Sequence, residues 1–150
     1  MTRATPTRSV RVAVWVIALE AILLVGLGVS AVGGTTPAKG QPVESVTDVA
    51  GLALTRAHGL LLVLTGLAAL AALRHPAWRF GYAGVQAVAY LVVTAVGLAL
   101  PHTLWWSLNL ADHVLHAALF LLGVALWLLL RGGTAAHGRT PDGGEQGALP

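Results

Sequence analysis

The chain contains no cysteine. That excludes disulfides, thiolate nucleophiles, cysteine-ligated metals and covalent attachment of a c-type haem. Charge is almost as scarce. Asp, Glu, Lys and Arg make up 10% of the 150 residues, where a soluble domain carries roughly a quarter. With so few charges, water cannot be the solvent for the whole surface. Hydrophobic residues reach 56%, and mean hydropathy is +0.76, so lipid must surround much of the chain. The pI near 10.2 comes from nine basic residues spread along the sequence. They form no basic cluster that would hold nucleic acid. No serine, lysine or carboxylate pair has catalytic spacing, and no glycine loop is built to cradle phosphate, so the reading is not an enzyme.

What is present is apolar sequence in four runs, at residues 10–32, 49–73, 80–100 and 104–130. Each is about the 20 residues that a helix needs to cross a bilayer at ~1.5 Å per residue. Residues 1–9 and 131–150 are polar and read as disordered tails. Residues 33–48 hold Gly, Thr, Pro, Lys39, Glu44 and Asp48 and read as a loop. Arg74, His75, Pro76 and Arg79 make a tight basic turn, and Pro101 closes the third run. The first run reads as an uncleaved anchor. Val29-Ser30-Ala31 resembles a cleavage site, but the run is longer than a ~7–15-residue signal core and carries Glu20.

Orientation follows from the basic residues. Arg3, Arg8, Arg11, Arg74, Arg79, Arg131 and Arg139 fall on one side, and only Lys39 and Arg56 on the other. Cytoplasmic loops carry the excess of Lys and Arg. The sequence therefore predicts an all-α bundle of four transmembrane helices in the plasma membrane, with both termini cytoplasmic. Tryptophans agree: Trp15, Trp78 and Trp127 fall near the inner boundary, Trp105 and Trp106 near the outer one.

A polar side chain inside a bilayer is expensive unless it is paired or hydrated. The polar positions inside the spans are therefore the informative ones. Asn109, Asp112, His113 and His116 are spaced i, i+3, i+4 and i+7, which puts them within an arc of roughly 100° on one helix face. Gly123 continues the stripe. His58 lies sixteen residues from Arg74, and His116 fifteen from Arg131. Both are thus roughly 23 Å from the inner boundary. Arg56 and Asp112 are level with each other, slightly further out. Arg56 and His58 point about 200° apart, so His58 is expected to face inward while Arg56 snorkels outward. The expected cluster is His58, Asn109, Asp112 and His116. Glu20, Arg56, Gln86, Tyr90 and His113 are additional candidates. Glu20 is expected several ångströms deeper than the histidines. Tyr82 shares a face of the third helix with Gln86 and Tyr90, and both tyrosines read as packing residues. His75, His102 and His137 read as solvated.

The stretch Asn109-Leu-Ala-Asp112-His-Val-Leu-His116, followed by Gly123, resembles the last-helix motif of a bacterial domain-of-unknown-function family. That family comprises small four-helix integral membrane proteins of high-GC Gram-positive bacteria, with a motif of the form Asn-x-Ala-Asp-x-x-Leu-His. His58-Gly-Leu-Leu with Gly66-Leu, Ala89-Tyr90-Leu with Gly97-Leu, and Leu24-Val-Gly26 with Gly33-Gly34 resemble its other helices. The chain has Leu54-Thr55 where the family often has His-Asn. The resemblance spans residues 15–130 and implies a fold and a membrane location, but no activity.

Three functional readings follow. The first is a structural or accessory membrane protein whose polar residues form an intramembrane network that fixes helix register. The second is a metal or b-type haem site, with His58, Asp112 and His116 as metal ligands or the two histidines axial to a haem. The third is a small transporter or proton-relay subunit using Glu20, Asp112 and the histidines. The first reading predicts no cofactor. Expected partners are the lipid bilayer and a second copy or another membrane protein.

Overall fold

In the computed structural model, residues 7–34, 47–49, 51–99 and 110–135 are described. They form six elements: helix α1 (Arg8–Gly34), strands β1 (Thr47–Val49) and β2 (Leu52–Leu54), and helices α2 (Arg56–Ala72), α3 (Pro76–Ala99) and α4 (Leu110–Ala135). The all-α expectation thus holds for the bundle, with a two-stranded hairpin added. Helices α1, α3 and α4 are long and apolar enough to cross a membrane, while α2 has 17 residues. Three such helices are consistent with a membrane protein.

The second apolar run departs most from expectation. It was expected as one helix over 49–73, but its first residues pair as an antiparallel hairpin, with Thr47 opposite Leu54 and Val49 opposite Leu52. Gly51 takes a φ of +84°, which a residue with a Cβ rarely adopts and which a two-residue connection demands. The Asp48 carboxylate accepts a hydrogen bond from Gly51 N at 2.9 Å. Thr55 then starts α2 as its N-cap, its hydroxyl accepting from His58 N at 3.2 Å. That side chain supplies one of the partners a helix N-terminus lacks.

Other boundaries shift less. Helix α3 begins at Pro76 rather than at 80 because proline suits the first helical turn, and His75 Nδ1 accepts from Ala77 N. Arg79 Nη2 donates to Leu73 O at 2.7 Å, capping the end of α2 from the next helix. Helix α4 runs past residue 130 to Ala135, with the Arg131 guanidinium 5.1 Å from the Trp127 ring one turn earlier. The helical start expected at 104 falls outside the described residues, as do Asn109, Trp105, Trp106, Lys39, His102 and His137.

The helices join as two close pairs. In the first pair, α1 meets α2 through small residues. A Cβ on Gly66 would fall 2.9 Å from Ala21 O, and one on Gly59 would fall 2.8 Å from the Ala31 Cβ. In the second, α3 meets α4 where a Cβ on Gly123 would stand 2.8 Å from Ala87 N. Such contacts let backbones approach closely, the usual packing device where lipid removes the hydrophobic drive between helices. Between the pairs, α1 meets α4 and α2 meets α3 through much smaller interfaces.

Two apolar layers fill the bundle. One holds Ala13, Ile17, Ala21, Ala69, Ala83, Leu126 and Leu130, toward the end that carries Arg11, Arg74, Arg79 and Arg131. The other holds Leu24, Ala31, Leu62, Tyr90 and Leu119, and is closed by Leu52 and Leu54 of the hairpin. Outward surfaces are studded with Leu19, Ile22, Leu64, Val85, Val88, Leu121 and Leu128, each more than half exposed. The polar side chains Glu20, Thr55, His58, Gln86, Asp112 and His116 are instead buried. An exposed apolar belt around an interior that also holds these polar groups departs from the pattern of a protein folded in water.

Candidate functional site

The buried polar groups form two tiers, one level with the second apolar layer and one between the two layers. In the first, α2 brings His58 and α4 brings His116 to meet at the bundle centre. Their Nε2 atoms are 3.3 Å apart, and their ring centroids 5.3 Å. One ring donates and the other accepts, and either tautomeric assignment satisfies the contact. Tyr90 of α3 lies against His116 at 5.8 Å between centroids, with 28° between the planes. Its hydroxyl stands near Thr65 of α2. Thr65 and Thr94 each donate to the carbonyl four residues earlier, Leu61 O and Tyr90 O.

Asp112, fully buried one turn before His116, acts electrostatically on His58. It lies toward the Leu110 end of α4 as described. Leu54 of the hairpin, fully buried, and Leu52 cover the same end of the bundle.

The second tier is held by α1 and α3. Gln86 Nε2 donates to Glu20 Oε1 at 2.6 Å and to the Leu119 carbonyl of α4 at 3.0 Å. One side chain thereby joins three helices. Tyr82, one turn earlier on α3, brings its hydroxyl near the Glu20 carboxyl without completing a hydrogen bond. Both tiers draw on the single face of α3 that carries Tyr82, Gln86 and Tyr90 at spacing i, i+4, i+8, so the two are contiguous.

Of the residues expected at the site, the structure brings His58 and His116 into contact and leaves Asp112 beside them. Asn109 lies outside the described residues. His58 faces inward and Arg56 is exposed, as their separation around the helix requires. His113 is half-buried and lies near His116. Glu20 stands apart from the histidines, in the Gln86 tier. Tyr90 touches a histidine ring rather than serving only as packing, and Tyr82 faces the Glu20 carboxyl. Their shared face with Gln86 was the signal. Among the described residues, no three His, Asp or Glu side chains are grouped as a metal site. The His58, Asp112 and His116 ligand set is therefore not assembled, and the histidines meet as a pair.

Beside both tiers lies a cavity of about 340 Å³, in the gap between α2 and α3. Its polar wall includes His58, His116, Tyr90, Gln86, Tyr82 and Thr65. Its mouth is formed by exposed Leu61, Leu64, Ala68, Val85 and Ala89. No protein-family model matches the chain, and no curated protein or solved structure is significantly similar to it.

Proposed function

We propose that the chain is a small multi-pass protein of the plasma membrane, with both termini cytoplasmic, acting as a structural or accessory bundle. On this reading it belongs with the four-helix bacterial membrane proteins that its last-helix motif resembles. The observation that carries the proposal is Gln86, buried and bonded to α1 and α4 at once. Such interhelical bonds contribute about 0.6 kcal/mol each on average and fix register and partner choice. A network of this kind suits a bundle whose task is to hold a defined shape, alone or against another membrane protein. Helix α2 would cross with help from the hairpin, since its 17 residues reach only about 25 Å of a core roughly 30 Å thick.

The test is His116→Ala in purified protein. Loss of the His58 contact and of the Tyr90 stack should lower the unfolding free energy in detergent by about 1 kcal/mol or more. Unchanged thermal stability would argue against a structural network.

One observation favours a second reading. Two ligands of a tetrahedral ion at ~2.0–2.1 Å stand roughly 3.3 Å apart, which matches the His58–His116 separation of 3.3 Å. His58 and His116 would hold a divalent metal at that spacing, beside the cavity they line. Axial ligands on opposite faces of a haem would need about 4 Å between nitrogens, from two bonds of about 2 Å each. Elemental analysis of purified wild type and of His116→Ala decides this reading, which requires near-stoichiometric metal that the variant loses.

A further inference from the structure

A second cavity lies at the end of the bundle where the arginines collect. Its volume is about 330 Å³, and it is lined by Val10 of α1, Pro76, Ala77, Arg79 and Phe80 of α3, and Leu130 of α4. Arg79 is the one charge on an otherwise apolar wall. Its Nη2 donates to Leu73 O at 2.7 Å, which holds the guanidinium in place. Its Nε is buried, so the Nη edge is the part that a ligand can meet. The nearby backbone offers an anion little, because the amides of Ala77, Trp78 and Arg79 all donate to His75. Arg8, Arg11 and Arg74 lie at the same end. The acids among the described residues are Glu20, Asp48 and Asp112. Glu20 is ten residues along α1 from Val10, about 15 Å, and Asp48 and Asp112 lie toward the opposite end. No described carboxylate therefore neutralises this end.

Such a wall selects its occupant. A hydrocarbon alone would bring no counterion for the guanidinium. A free phosphate would meet one arginine and otherwise apolar surface, at a desolvation cost. A zwitterionic headgroup would carry its own cation into a positive field. We infer that this cavity binds an anionic phospholipid, with its phosphate on Arg79 and the start of one acyl chain along Val10, Phe80 and Leu130. Guanidinium–phosphate bonds are charge-assisted and strong, and basic pockets between helices hold such headgroups. Trp78, exposed on the same turn of α3, suits the headgroup level. The inference rests on lipid surrounding the helices, which reporter fusions test separately.

The full chain, purified in detergent with an equimolar mixture of dioleoylphosphatidylglycerol and dioleoylphosphatidylcholine, would be weighed by native mass spectrometry. The expected result is retention of the phosphatidylglycerol over the phosphatidylcholine by at least about fivefold. Arg79→Gln should cut that ratio several-fold. Arg74→Gln, which removes the same charge at the same end but lies off the cavity wall, should leave most of it. Ala77→Trp, which fills the cavity and keeps every arginine, should lower phosphatidylglycerol retention several-fold with helicity intact. That variant carries the test if Arg79→Gln unfolds. Equal retention of the two lipids, equal losses in Arg79→Gln and Arg74→Gln, or undiminished binding to Ala77→Trp would each overturn the inference. So would displacement of the lipid by inorganic phosphate at equal concentration, which would reassign the cavity to a free anion.

Discussion

At the scale of single residues, the decisive feature is how polar atoms are shared across helices. Glu20 and Gln86 sit 66 positions apart in sequence and meet at 2.6 Å. The partner of Gln86 is an acceptor oxygen, so the contact needs the oxygen and not the charge. Glu20→Gln should therefore retain the bond and change stability by less than about 0.5 kcal/mol. Glu20→Ala removes the acceptor, strands a Gln86 N–H and leaves a void. Its expected cost is about 2–3 kcal/mol. Unfolding of both variants in the same detergent checks the pair. Equal losses would mean that the carboxylate charge, rather than its geometry, matters. The polar residues themselves were legible in the sequence, because an ionisable group in an apolar run must turn inward. Only part of their pairing was: His58 and His116 were expected in one cluster, while the Glu20–Gln86 contact was not. Depth counted along separate helices placed His58 and His116 level, but it could not show that Gln86 reaches two neighbours at once.

At the scale of elements, the hairpin and α2 show where an apolar run misleads. Residues 49–73 look like one span because hydropathy averages over strand and helix alike. The local chemistry distinguishes them. Asp48 bonds Gly51 N, Gly51 takes φ +84°, and Thr55 caps α2. Leu52 and Leu54 are both buried, the period of two expected of a strand packed on one side. Gly51→Ala should strain the turn and destabilise by about 1 kcal/mol. Thr55→Ala should cost about the same by removing the cap. Either is read from the unfolding midpoint, and neutral effects in both would argue against the hairpin as a closing element. Helix pairing makes a sharper demand. A side chain at Gly66 would press on the Ala21 carbonyl of α1. Gly66→Leu should thus separate α1 from α2 at a cost of about 1–3 kcal/mol, whereas Gly26→Leu, with open space around its Cβ position, should be tolerated. The stripe of small residues on α2 was visible in the sequence, while the identity of its partner helix depended on tertiary geometry.

For the whole molecule, the arrangement depends on which solvent lies outside. The apolar belt of α1, α3 and α4 and the buried polar tiers are consistent with lipid as that solvent, because water would leave the belt exposed and offer the polar groups a better home outside. Among the described residues, Arg56 then lies toward one end of the bundle, and Arg8, Arg11, Arg74, Arg79 and Arg131 lie at the other. Val10, Pro76, Arg79, Phe80 and Leu130 surround one cavity there, so the start of α1, the α2–α3 turn and the end of α4 lie together. The proposed orientation puts this end in the cytoplasm, since positive segments resist translocation. Fusions of alkaline phosphatase, active only outside the cytoplasm, and of a fluorescent protein that folds only inside, separate the alternatives. A phosphatase inserted after residue 40 should be active. The same enzyme fused after residue 75 or at the carboxyl terminus should be inactive, with fluorescence in its place. Activity at the carboxyl terminus would mean an odd number of crossings. That would leave α2, the shortest helix, as the segment that fails to span, and the histidine pair it shares with α4 could no longer form inside one bundle.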